Sequence, residues 1–103
     1  MNLASIIADL ESADSTLTIV AKRPWTANSG ARLVSLTDEY SIPGNVLLEG
    51  FEYFLEVSIA LDEVLGESAS RLSSDQRVAA IVYYAENDDY PDWLNAIARS
   101  LHG

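Results

Sequence analysis

The chain has 103 residues, 49% of them apolar, and no cysteine. That length predicts one domain with one core, and the missing cysteines exclude disulfides, thiolate metal ligands and cysteine nucleophiles together. Sixteen acidic against six basic residues give a net charge of −10. Such a field repels nucleic acid and anionic membranes as direct ligands and attracts basic proteins; it also serves plain solubility.

The first segment is helical by period. Leu3, Ile6, Ile7 and Leu10 fall at i, i+3, i+4 and i+7, with Asn2 placed to cap them and Asp9, Glu11 and Asp14 turned to water. It carries no basic residue ahead of a continuous apolar run, so it does not read as a signal peptide. No apolar run approaches the roughly 20 residues of a membrane span, and a cytoplasmic protein is expected.

"STLTIVA" is rich in β-branched residues and reads as the first strand, with Leu17, Ile19 and Ala21 alternating with polar or exposed positions. "KRPWTANSG" is a turn region, longer than a tight hairpin and expected to protrude. "ARLVSL" reads as a second strand, antiparallel to the first. "TDEYSIPGN" is a loop punctuated by Pro43-Gly44. The stretch 47–57 fits two periods. Leu47, Phe51, Phe54 and Leu55 share a helical face, whereas Phe51, Tyr53, Leu55 and Val57 alternate with Glu52, Phe54 and Glu56. Aromatic and β-branched content favours a strand, which places Glu52 and Glu56 together on the face away from Tyr53 and Leu55.

Three helices follow. Ser58 is placed to cap "IALDEVLGES". Ser73 and Gln76 have capping-box spacing ahead of the Val78, Ile81, Val82, Ala85 stripe. Pro91 opens a last helix carrying Leu94, Ile97, Ala98 and Leu101. The expected fold is α+β: an N-terminal helix, a small three-stranded antiparallel sheet, then three C-terminal helices packed on one face, in a single domain spanning 1–103.

The residues offer little to an enzyme. His102 is the only histidine and the second-last residue, and no nucleophile elbow or glycine-rich phosphate loop is present. The many carboxylates supply no distinguishable glycosidase pair. "YYAENDDYPDW" gathers Glu86, Asp88, Asp89 and Asp92 among aromatics. It has hard-oxygen ligand types but not the calcium-loop pattern, and capping of the last helix by Asp88 and Asp89 accounts for most of it. No cofactor is expected.

Residues 49–67 hold six carboxylates, Glu49, Glu52, Glu56, Asp62, Glu63 and Glu67, and no Lys or Arg. This is either an ordinary solvated face or a docking surface for a basic protein, with Glu86, Asp88 and Asp89 as a second patch. Trp25 either anchors its loop in the core or, exposed, joins Tyr90 as an aromatic contact anchor.

Three stretches, "TIVAKRPWTANSGARLVSL", "EGFEYFLEVSIALDEVL" and "IVYYAENDDYPDW", together resemble a family of small, uncharacterised bacterial acidic α+β domains, immunity-protein-like, over roughly residues 16–93. The resemblance carries no catalytic residue. It implies a non-enzymatic binding protein, a monomer or weak homodimer, that neutralises a basic toxin or nuclease domain. The alternatives are a self-associating structural or regulatory module and a divalent-metal-binding protein.

Overall fold

At the N-terminus, the Asn2 side chain accepts from the Ser5 N–H at 2.9 Å, and the Ser5 hydroxyl accepts from the Asn2 N–H at 3.1 Å. This reciprocal cap starts α1, Leu3–Ala8, in the computed structural model. The structure describes residues 1–102, apart from the side chains of residues 67, 70, 98 and 100–102. Two more free N–H groups of the helix, those of Leu3 and Ala4, donate to the carbonyls of Ser29 and Ala27. The expected apolar stripe is buried as a unit, although the α-helix stops at Ala8 and Leu10 sits in a 3₁₀ turn, Leu10–Ser12.

Three strands follow: β1 Thr18–Ala21, β2 Ala31–Val34 and β3 Glu52–Glu56. They form an antiparallel sheet in the order β2-β1-β3. The alternation expected of β1 is absent, for all four of its residues are buried. The central strand has both faces covered. Ile19 and Ala21 face the main core, and Val20 packs with Val46 and Phe51 in a smaller cluster on the other side. That second cover comes from α2, Gly44–Leu48, a five-residue helix that starts in the expected loop and runs into the stretch read as strand.

The segment joining β1 to β2 does not protrude. It folds back on itself through Lys22 N–H to the Gly30 carbonyl (2.9 Å) and the Ser29 hydroxyl to the Pro24 carbonyl (2.6 Å), and its Ser29 and Ala27 carbonyls accept from α1. Trp25 is its plug: 8% exposed, its indole N–H donating to the Ala21 carbonyl at 3.4 Å and its ring edge-on to Phe54 at 4.9 Å.

Residues 52–56 form the expected strand, but not with an unbroken period of two. Ile19 pairs with Leu55 and Val20 with Tyr53, so Phe54 has no partner on β1 and forms a bulge. Phe54 and Leu55 are therefore both buried while Tyr53 is exposed.

After β3 the chain forms a π-helical segment, Ile59–Leu65, and a 3₁₀ segment, Gly66–Arg71, where one capped α-helix is expected. Ser58 makes no side-chain cap bond. Then come α3, Ser74–Asn87, opened by the Ser73–Gln76 capping box, and α4, Asp92–His102. The fold is thus α+β, with an N-terminal helix, a three-stranded antiparallel sheet and C-terminal helices packing against it. Leu3, Ile6, Leu10, Ile19, Phe54, Val64, Ile81 and Leu94 meet in one core. Of the stripe expected on α4, Ala98 and Leu101 lie outside the described residues, as does His102.

Gly66 joins the two irregular segments at φ 47°, ψ −135°, and no atom lies within 4 Å of a Cβ built there. Gly44 has equal room at an ordinary φ. Gly66→Ala should cost about 1–3 kcal/mol through backbone strain alone, and Gly44→Ala should be neutral or stabilise by up to ~1 kcal/mol. Thermal unfolding of the two variants checks this; equal melting temperatures would contradict the backbone assigned to Gly66.

Candidate functional surface

Antiparallel pairing of β1 with β3 brings the beginning of the acidic stretch against the chain's basic residues. Ala21 lies across from Glu52, so Lys22 and Arg23 emerge beside it. Arg23 Nε lies 3.2 Å from the Glu52 carboxylate, and Arg32 holds Glu49 by two bonds of 2.9 and 3.4 Å. The same cations rest on aromatic faces: Arg23 over Trp25 at 3.8 Å, Lys22 and Arg32 over Phe51 at 5.0 and 5.1 Å. Glu49 and Glu52 are therefore not free charges, contrary to the reading of 49–67 as wholly uncompensated. The missing cations were distant in sequence, not in space.

The bulge separates the other expected pair. Residues directly opposed in a ladder share a face. Glu56 opposes Thr18 and Glu52 opposes Ala21, an odd step apart on β1, so the two carboxylates lie on opposite faces of the sheet. Trp25, buried, is not available as an anchor, and Tyr90 is half-buried.

The remaining carboxylates form a different constellation. Glu56 ends β3, half-buried; Asp62 and Glu63 are exposed on the π-helical segment; Glu86, Asp88 and Asp89 are exposed at the end of α3 and just past it. Among the described residues none of the six has a Lys or Arg within ion-pair distance. Glu67 lies outside the described residues.

Two tyrosines join the two patches. The Tyr84 ring stands 5.2 Å from that of Tyr90. Burial pushes the Tyr84 phenol above its ordinary value, and Tyr90, Asp88 and Glu63 push it further, so carboxylates from both patches act on one hydroxyl. Burial likewise raises Tyr53, helped by Glu56 and Tyr84 and opposed by a hydrogen bond with the Glu56 backbone. Beneath them Glu63, Leu65, Tyr90 and Leu94 line a shallow cleft of about 240 Å³. Sequence reading misses Tyr53 and Tyr84 as members of this surface. They stand 31 positions apart, and no local period links a strand residue to a helix residue at that distance.

The raised tyrosines have a spectroscopic consequence. Their folded values exceed the unfolded ones, so they support the fold fully below the ordinary tyrosine range, and that support is lost as pH rises through the folded values. An alkaline titration followed at 295 nm should show two of the five tyrosines ionising later than the rest. Five tyrosines ionising together would contradict the arrangement.

The corner at 88–91 is built differently from the expected cap of the last helix. Asp88 closes α3 in the left-handed conformation (φ 55°), its N–H donating to the Tyr84 carbonyl at 2.8 Å. The Asp89 carboxylate accepts from the N–H of Tyr90 at 2.8 Å, ahead of α4 rather than within it. Among the described residues the Asp88 carboxylate makes no cap bond.

Among the described residues no three of His, Asp and Glu converge as a metal ion would require, and no helix is long and apolar enough to cross a membrane. Compared with family models, curated proteins and solved structures, the chain matches none.

Proposed function

We propose that this chain is a non-enzymatic acidic binding protein that occludes a basic protein, in the manner of an immunity protein neutralising a toxin or nuclease domain. One observation carries the reading: Glu56, Asp62, Glu63, Glu86, Asp88 and Asp89 stand without cationic neighbours among the described residues, on elements bridged by Tyr53, Tyr84 and Tyr90. A carboxylate array on fixed secondary structure resembles the phosphate array that a nuclease attracts, and it steers encounter at long range. Exposed Tyr83 on α3 and Trp93 on α4 supply the apolar contacts that such an encounter needs to persist.

The test is capture by the immobilised chain from the cells that encode it. A basic protein should be retained, released by salt, and lost by the Glu56→Lys/Glu63→Lys variant. It should remain bound to Glu49→Lys/Glu52→Lys, whose carboxylates already have partners. Equal retention by all three proteins would remove the reading.

Self-association is the second reading, favoured by Leu47 and Leu48, which stand exposed side by side on α2, Leu48 at 90%. Light scattering over a concentration series separates the two, since a steered inhibitor has no need to dimerise through α2.

A further inference from the structure

A second cavity lies at the end of the sheet where β1 begins and β2 and β3 finish. It is a cleft of about 430 Å³, within the size range of ligand pockets. Its polar lining is unusual in kind. Thr18, Ser35, Thr37, Ser58 and Tyr40 contribute hydroxyls and Glu56 a carboxylate, and no Lys, Arg or His lines it. Thr18 is a buried strand residue on its wall, 1% exposed. Glu56 is half-buried and has no Lys or Arg within ion-pair distance among the described residues. Partly burying a carboxylate without a cation costs free energy that a positively charged group in the cleft would offset.

The rim adds a second observation. Tyr40 is 85% exposed and sits at φ 60°, a left-handed conformation unfavourable for a bulky side chain. The turn that imposes it is tied at both ends to Thr37: the Tyr40 N–H donates to the Thr37 carbonyl, the Thr37 N–H to the Ser41 carbonyl (both 2.8 Å), and the Thr37 hydroxyl accepts from the Ser41 N–H at 3.2 Å. An aromatic ring is thereby held in water at the mouth of an acceptor-rich, anionic cleft.

We propose that this cleft receives an aliphatic primary ammonium group, with Glu56 as its counter-ion, the hydroxyls of Thr18, Ser35 and Ser58 as further acceptors, and the Tyr40 ring at its mouth. An ammonium has three donors and no acceptor, which matches a lining of hydroxyl and carboxylate oxygens. Phosphates and carboxylates are turned away by Glu56 and by the net charge of −10. A guanidinium seeks a planar, bidentate partner, and one carboxylate among scattered hydroxyls favours the compact head group instead. The ammonium can belong to a free polyamine or to a lysine side chain, and the site does not depend on a protein docking on the tyrosine surface.

The experiment is a ¹H–¹⁵N correlation titration of the whole chain at low salt. The probes are spermidine, acetyl-Gly-Lys-Gly-amide and the same peptide with norleucine in place of lysine. Saturating shifts should appear at amides 16–18, 35–41 and 56–58 with an amine and not with norleucine. Glu56→Gln, which keeps the shape and removes the charge, should weaken binding about tenfold; Tyr40→Ala should weaken it less, and Glu63→Gln should leave it unchanged. Shifts with spermidine alone assign the site to free polyamines; shifts with the lysine peptide assign it to lysine side chains. No shift up to millimolar amine, shifts spread over all acidic surfaces, or binding indifferent to Glu56→Gln would each overturn the proposal.

Discussion

Phe54→Ala should lower the unfolding free energy by about 3–5 kcal/mol, the range for truncating a buried aromatic side chain. A domain of this size holds about 5–15 kcal/mol in total, so the variant should be marginal or unfolded near body temperature. The loss is expected because Phe54 is buried in the main core, its ring meeting the edge of Trp25, which in turn plugs the segment between β1 and β2. A regular strand would instead place Phe54 beside Glu52 and Glu56 on a solvated face, where truncation costs within about 0.5 kcal/mol. The two geometries therefore differ several-fold in one measurement. Urea unfolding of wild type, Phe54→Ala and Phe54→Leu, followed by far-ultraviolet circular dichroism, decides it. The leucine variant should recover most of the loss, and a midpoint for Phe54→Ala within error of wild type would rule out the bulge.

The second large effect concerns charge. Reversing Glu56 and Glu63 together should slow association with a basic partner at least about tenfold at low ionic strength, since steering contributes roughly 10–10³ to such rates. The difference should shrink as salt rises and the screening length falls to about 8 Å near physiological strength. Reversing Glu49 and Glu52 changes the net charge by the same amount but removes carboxylates already neutralised by Arg32 and Arg23. It should slow association less, and as exposed pairs these contribute only about 0–1 kcal/mol each to stability. Stopped-flow association rates against ionic strength, for both double variants, separate local charge from total charge. If the two slow binding equally, net charge alone governs the encounter and the tyrosine surface has no special part in it.

The cleft beside Glu63 and Tyr90 and the hydroxyl-lined cleft beside Glu56 share no lining residue, and their chemistry differs. The first is lined by Glu63, Leu65, Tyr90 and Leu94, of which Glu63 is exposed and the two leucines belong to the core. The second presents oxygen atoms to a small charged group. Glu56 belongs to both the tyrosine surface and the second cleft, so a basic protein docking and an amine entering are told apart by the residues they do not share: Glu63→Gln should weaken a basic protein and spare the amine, and Tyr40→Ala should do the reverse.

How much of this was legible in the residues follows from the range of the interaction involved. The capping boxes at Asn2 and Ser73, the stripe of α1 and the strand at 52–56 depend on neighbours within four positions, and those patterns are written locally. The α+β order follows from them. By contrast, α2 is only five residues long, starts after Pro43 and has no side-chain cap, so it carries almost no local signal. It exists as a helix because Val46 completes the cluster with Val20 and Phe51. The π-helical segment is similar: its residues read as an α-helix and are widened where Val64 and Leu65 meet the core.

The amino-acid sequence by itself determined the class of fold, the absence of thiol chemistry and the excess of ten negative charges. Only the tertiary structure decided which of those charges stand alone. Strand pairing put Arg23 and Arg32 against Glu52 and Glu49, one bulged residue turned Glu56 to the other face of the sheet, and packing of the π-helical segment on α3 brought Glu63 to Tyr84. Net charge is a sum over residues and needs no coordinates, whereas a binding surface is a set of distances between residues far apart in the chain, and folding alone sets those.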